Sequence, residues 1–150
     1  MENITDVLFD STIIVAAHLA EGEQREACRA ALALAERRRV RAHVCGNALG
    51  QIAEDLARSG GRDFAKGWLT EARRYLDVVA TSGGILDAAL SDSLSADGVY
   101  LDDAITIHTA RLLDTAVIVT LNDGDFSAAT IPVALPQQLL EQVYQQTGAA

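Results

Sequence analysis

The sequence predicts an α/β fold in which a mostly parallel sheet is covered on both faces by helices. Three observations carry that expectation. Short apolar runs (Val7-Leu8-Phe9, Val40 to Val44, Val78-Val79-Ala80 and Ala116 to Thr120) are separated by longer stretches rich in Ala, Leu, Glu and Arg. Strands that alternate with helices need crossover connections, and crossovers make neighbouring strands parallel. The 150 residues, 49% hydrophobic and 22% charged, suit one soluble domain over 1–150 with a core of its own.

In order, Val7-Leu8-Phe9 is a buried strand ending at Asp10, and Ser11 and Thr12 can cap a helix from Ile13 to Leu19. Glu21 to Arg38 has the composition of an amphipathic helix. Val40 to Val44 alternates apolar and polar residues as a strand does. Asn47 can cap a helix from Ala48 to Arg58, stopped by Ser59-Gly60-Gly61. Arg62 to Leu76 reads as a helix, Val78 to Ala80 as a third strand, and Ile85 to Leu90 as a short helix. Ala96-Asp97-Gly98 breaks the chain before a helix from about Leu101 to Leu113. Ala116 to Thr120 is the strongest strand signal, followed by the loop Asn122-Asp123-Gly124-Asp125. Ile131-Pro132-Val133 adds an edge strand, Pro136 to Val143 a closing helix, and Gln145 to Ala150 a frayed tail.

Composition excludes several function classes. The acidic start lacks the basic, longer apolar pattern of a secretory signal, and Ile13 to Ala17 is too short to span a bilayer. Cys28 and Cys45 form no C-x-x-C pair and read as free thiols of a reducing cytoplasm. His18, His43 and His108 have no zinc spacing, and neither a phosphate-binding P-loop nor a dinucleotide motif occurs. The net charge of -9 argues against an ordinary nucleic-acid binder. Its distribution is uneven, because basic residues fall between Arg25 and Arg74 apart from Arg111. The second half carries Asp87, Asp92, Asp97, Asp102, Asp103, Asp114, Asp123 and Asp125.

In a parallel sheet, sites form beyond the carboxyl ends of the strands. Asp10 closes the first strand, Asp125 follows the strand ending at Thr120, and Asp103 lies in the first turn of the helix from Leu101. Singly, each has a structural explanation as cap, first-turn acid or turn residue. Together they form a carboxylate cluster whose mutual repulsion a hard divalent cation would remove. Phosphodiester hydrolysis with Mg²⁺ or Mn²⁺ suits such a cluster, since no nucleophilic side chain is required.

Four segments resemble the PIN domain family, especially toxins of the VapC type. Val7 to Val15 is similar to the family's opening strand ending in Asp-Thr/Ser-Asn. Asp103-Ala104-Ile105-Thr106-Ile107-His108-Thr109-Ala110 resembles its Asp-Ala-apolar helix. Val117 to Phe126 resembles the strand and loop Val-Thr-x-Asn-x-x-Asp-Phe, and Val44 to Leu56 fits the helix that normally supplies a glutamate. The match spans roughly 6–135. It implies a three-layer α/β/α sandwich of about five strands. It also implies a metal-dependent endoribonuclease, often dimeric and often neutralised by a small antitoxin protein. A catalytically weak PIN-fold module that binds RNA or a protein is the alternative.

On this resemblance Asp10, Asp103 and Asp125 hold the metal, with Ser11, Thr120 and Asn122 in support and Asp123 left as a turn residue. Two departures stand out. Thr12 replaces the asparagine common after Ser11, and Gln51 stands where the glutamate is expected. Glu54 and Asp55, three and four residues on, share its helical face. Either Glu54 or Asp55 takes the glutamate's place in catalysis, or both are surface acids beside Arg58. Arg37, Arg38, Arg39 and Arg41, with Arg58, Arg62, Lys66, Arg73 and Arg74 nearby in sequence, form the candidate RNA-binding patch or a solvated surface pairing with Glu36 and Glu71. Phe64, Trp68 and Leu69 are either core or a docking face for a partner or second copy.

Overall fold

The computed structural model describes residues 3–93, 99–114, 117–127 and 129–148. Its strands are β1 (Asp6–Phe9), β2 (Arg41–Cys45), β3 (Leu76–Val79), β4 (Val117–Val119) and β5 (Val133–Ala134). Helices α1 (Ser11–Leu19) and α2 (Gly22–Glu36) lie between β1 and β2; α3 (Gly46–Gly60) and α4 (Arg62–Ala72) lie between β2 and β3. Helices α5 (Gly83–Ser93) and α6 (Leu101–Leu113) precede β4, and α7 (Pro136–Gln146) closes the chain. The sheet order is β3-β2-β1-β4-β5, with every pairing parallel.

Alternation along the strands divides the core between two faces, because successive side chains point to opposite sides. Val7, Phe9, Ala42, Val44, Val117 and Val119 pack with α1, α2, α3 and α7 residues such as Ile13, Leu32, Leu56 and Leu139. Leu8, Cys45 and Ile118 face the other way, onto Ile107 and Ala110 of α6 and onto Phe126. Helix α5 packs on α6 through Ile85, Ala89, Ala104 and Ile105. The result is the three-layer α/β/α architecture that the sequence predicts.

The strand order places the site. From β1 the chain winds outward through β2 to β3, then returns across β1 to β4. At that reversal the connections after β1 and β4 leave toward opposite faces, which opens a crevice beyond their carboxyl ends. Asp10 N–H still donates to the Val119 carbonyl at 2.9 Å, so the ladder carries Asp10 to the rim of the crevice.

Several boundaries differ from expectation. Helix α4 stops at Ala72, and Leu76 opens β3 because it pairs with Ala42; tertiary pairing overrides helix propensity there. Helix α3 begins before Asn47, with Cys45 at its N-cap, so Asn47 is not the cap. Gly61, at φ 91, turns α3 into α4. Helix α5 is longer than Ile85 to Leu90 at both ends. Strand β5 starts at Val133, with the Pro132 carbonyl accepting from Ile118 N–H at 2.9 Å. The tail is anchored as far as Gln146, whose side-chain amide bonds both to the N–H and to the carbonyl of Ile4. The expected break at Ala96-Asp97-Gly98 and the last residues, Ala149-Ala150, lie outside the described residues, as do Ala116 and the surroundings of Asp97. No helix among the described residues is long and apolar enough to cross a membrane.

Candidate functional site

Asp10 occupies the N-cap position of α1, yet its side chain makes no capping hydrogen bond. Its Oδ2 instead accepts from two hydroxyls, Thr12 Oγ1 at 2.8 Å and Thr120 Oγ1 at 2.9 Å. Both hydroxyl protons are thereby committed. The two oxygens in turn accept backbone N–H groups, Leu121 onto Thr12 at 3.2 Å and Asn122 onto Thr120 at 3.1 Å. Thr12 therefore ties the exit of β4 to Asp10 rather than capping α1. Ser11 is the half-buried first residue of α1. Among the described residues Asp10 Oδ1 has no hydrogen-bond donor, which leaves its lone pairs for a ligand.

Thr120 is fully buried, so its hydroxyl cannot be replaced by water without rearrangement. Thr120→Val keeps the shape and removes the bond to Asp10 together with the acceptor of Asn122 N–H. The expected cost is about 1–3 kcal/mol, seen as a lower midpoint in urea denaturation.

Asp103 reaches the same rim from α6. Ala104, Ile105, Ile107 and Ala110 are buried and fix the helix, which leaves Asp103 half-buried in its first turn. Burial, then the negative charges of Asp10, Asp125 and Asp102, push its carboxyl up from 3.8 to about 6. Every group named there raises the value, and none is a cation. Asp125 arrives on the 3-10 turn Asp123–Phe126, which Phe126 pins by burying its ring against Leu8 and Ile118. Asp123, on the same turn, is not among the charges acting on Asp103. Cys45 is buried nearby; burial raises its thiol, the neighbouring hydroxyls of Thr109 and Thr106 oppose that, and the charges of Asp10 and Asp102 add to it.

The acids therefore stand within electrostatic reach of one another. Among the described residues, however, no three His, Cys, Asp or Glu side chains already surround one point as metal ligands would. These two facts are compatible, because like charges favour spreading and a cation would draw carboxylates inward by rotamer change. The donors themselves, carboxylates backed by hydroxyls with no thiolate or imidazole engaged, fit a hard divalent ion.

The structure does not bring Glu54 to this cluster. Its side chain is 67% exposed and lies 3.8 Å from Arg58, and it is not among the groups acting on Asp103. Asp55, 25% exposed, accepts from Gln51 Nε2 at 2.9 Å and lies 3.5 Å from Arg58, so its partners are on α3 itself, and it is not among the groups acting on Asp103. Two residues given other roles in the sequence belong here. Asp102 is the third charge acting on Asp103, and Asn47 Nδ2 donates to Asp102 Oδ1 at 3.3 Å, joining α3 to α6. A signal existed for Asp102, an acid one position before a candidate ligand; none existed for Asn47. Asn122 is exposed on the loop beside the acids.

The basic candidates lie elsewhere. Arg37, Arg38 and Arg39 are exposed at the end of α2, and Arg41 opens β2 in register with Asp6, at the amino edge of the sheet. Phe64 is exposed, whereas Trp68 is half-buried against the core with the His18 ring edge-on at 4.9 Å. Leu69 and Trp68 border an apolar groove of about 280 Å³.

The same architecture is found in solved structures of low sequence identity. Mycobacterium tuberculosis VapC20, described as a sarcin-ricin loop cleaving toxin, superposes with a TM-score of 0.65 at 17% identity, over 83% of this chain and 95% of that one. A toxin–antitoxin complex from Klebsiella pneumoniae gives 0.64 at 19% identity, over 87% and 97%. FitAcB from Neisseria gonorrhoeae gives 0.63 at 14%, over 87% and 98%. Among curated proteins, no sequence match is found. The model of the PIN domain matches residues 6–124, and the chain belongs to that family, a family of nucleases.

Proposed function

We propose that this protein is a divalent-metal-dependent endoribonuclease and the toxin of a toxin–antitoxin pair, with Asp10, Asp103 and Asp125 as the ligands of Mg²⁺ or Mn²⁺. The observation that carries the reading is the setting of Asp103: it is half-buried, and Asp10 from the end of β1, Asp125 from the loop after β4 and Asp102 beside it add their charges to that burial, so that its carboxyl rises to about 6. When bound, the cation supplies charge neutralisation at a phosphoryl oxygen and acidity to a water. The chain supplies orientation. Thr12 and Thr120 fix Asp10 through one oxygen and leave the other open, while Asn122 offers its amide beside the acids. The neighbouring structures, a VapC toxin that cleaves the sarcin-ricin loop and a toxin–antitoxin complex, support RNA as substrate and a small antitoxin as partner. A homodimer and a cytoplasmic setting belong to the same reading.

The placement of Gln51, Glu54 and Asp55 favours a second reading, a PIN-fold module that binds RNA without cutting it. No fourth acid from α3 joins the others, and fewer anionic ligands weaken metal binding. One experiment separates the two. Wild type is expected to cleave a mixed RNA pool when Mn²⁺ is added, and Asp10→Asn to lose on the order of 100-fold or more while circular dichroism shows it folded. No cation-dependent cleavage and no cation-dependent shift in melting would support the module instead.

A further inference from the structure

Three elements bring guanidinium groups to one groove at the amino edge of the sheet, away from the acids. Arg38 and Arg39 come from the end of α2, Arg41 from the start of β2, and Arg74 from the turn after α4; Tyr75, Thr5 and Asp77 complete a recess of about 330 Å³. The chain has 12 basic residues against a net charge of -9, and four of them line this one recess; Asp77 lines it too, and Glu36 and Glu71 are close enough to act on Tyr75, so the excess positive charge rests on Arg38 and Arg39. Arg41 is held by Asp77 at 2.9 Å and Arg74 loosely by Glu71 at 3.5 Å. No hydrogen bond or ion pair occupies the side chains of Arg38 and Arg39 among the described residues.

The local backbone adds to the argument. Arg39 N–H reaches back to the Leu34 carbonyl at 2.8 Å, closing α2 with a turn in which Arg38 adopts φ 56. That left-handed position normally belongs to glycine, and an L side chain there costs roughly 1 kcal/mol. Attraction of cations to a helix carboxyl terminus explains part of the choice. It does not explain Arg41 and Arg74, which lie on other elements.

We propose that this groove is a second RNA contact, in which Arg38, Arg39, Arg41 and Arg74 hold a backbone phosphate and Tyr75 offers its ring to the adjoining base. The inference rests on the RNA reading above. Guanidinium forks match phosphate oxygens bidentately, and the recess has room for one nucleotide unit rather than a folded element. Strand β2 rises about 3.3 Å per residue from Arg41 to the level of Cys45, so the groove lies roughly 13 Å or more from the acid rim. The charge that attracts the strand is thus separated from the charge that gathers the cation, and a -9 protein can still engage RNA.

The test is fluorescence anisotropy of a labelled single-stranded mixed-sequence RNA, in chelator so that nothing is cut, between about 50 and 200 mM salt. Arg39→Ala/Arg74→Ala is expected to bind about tenfold more weakly, with a salt slope shallower by roughly 1.4 for two lost phosphate contacts. Arg29→Gln/Arg111→Gln, which changes net charge equally and lies outside the groove, is expected to stay within about twofold. Equal losses in both variants, or no loss in the first with its fold intact by circular dichroism, overturn the proposal. So does tighter binding of a hexaglutamate peptide than of RNA at the groove. The nuclease reading is judged separately: Mn²⁺-dependent cutting with unchanged RNA affinity of the groove variant removes the groove alone, while weakened binding without any cutting by wild type removes the nuclease alone.

Discussion

Asp103→Asn is expected to yield a protein that is more stable and nearly inactive. The folded carboxyl titrates near 6 and the unfolded one near 3.8, so the folded state binds the proton more tightly. Between those values the stability of the cation-free protein falls as pH rises; the penalty is complete above about pH 6 and absent below about pH 4. Asparagine cannot ionise and escapes it. The rise from 3.8 to about 6 corresponds to about 3 kcal/mol, and screening at this half-buried site reduces the expected gain to about 1–2 kcal/mol at pH 7–8. Urea midpoints of both proteins in chelator should converge toward pH 4 and separate toward pH 8. Mn²⁺ should raise the wild-type melting temperature and leave the variant nearly unmoved, while RNA cleavage falls on the order of 100-fold or more. A variant that gains nothing at pH 8 would show that Asp103 is ordinarily solvated and would remove the main support for the cation site.

Phe126→Ala is expected to have the larger effect on the fold. The ring is 2% exposed and fills the space between Leu8, Ile107, Ala110 and Ile118. Removing a buried phenyl costs about 3–5 kcal/mol, from lost transfer energy and the cavity left behind. The same ring is what holds Asp125 at the rim, because among the described residues the backbone bonds of the turn Asp123–Phe126 are local: Asp125 N–H to the Asn122 carbonyl at 3.0 Å, Ser127 N–H to the Gly124 carbonyl at 3.2 Å and Ala129 N–H to the Phe126 carbonyl at 2.9 Å. Denaturation should show the loss directly, and cation-dependent cleavage measured below the new melting point should fall as well. Phe126→Leu, which refills most of the volume, should recover most of both.

Much of this was legible in the residues. Helix α6 begins and ends at the expected Leu101 and Leu113, and the β-branched run before Thr120 is the strand that it looks like. Those two elements, with β1, fix Asp10, Asp103 and Asp125 near one rim, because strand ends in a parallel sheet share an edge. The direction of β2 was equally readable, and it places Arg41 at the opposite edge from Asp10. What escaped depends on pairs distant in the chain. Nothing in Asn47 signals Asp102, nothing in Thr12 signals Leu121, and the α4–β3 boundary is set by Leu76 meeting Ala42. The helical spacing of Gln51, Glu54 and Asp55 was correct, but spacing alone does not say that Glu54 stands exposed beside Arg58 or that Asp55 pairs with Gln51.

The central position of β1 bears on how the protein comes into being. Asp10 is synthesised 110 residues before Thr120, whose hydroxyl steadies it, and β1 cannot complete its second pairing until β4 exists. Closing so long a loop is slow compared with forming helices. A nascent chain therefore has its first acid long before it has a working centre, and competence arrives abruptly, once the segment through Phe126 has emerged and docked.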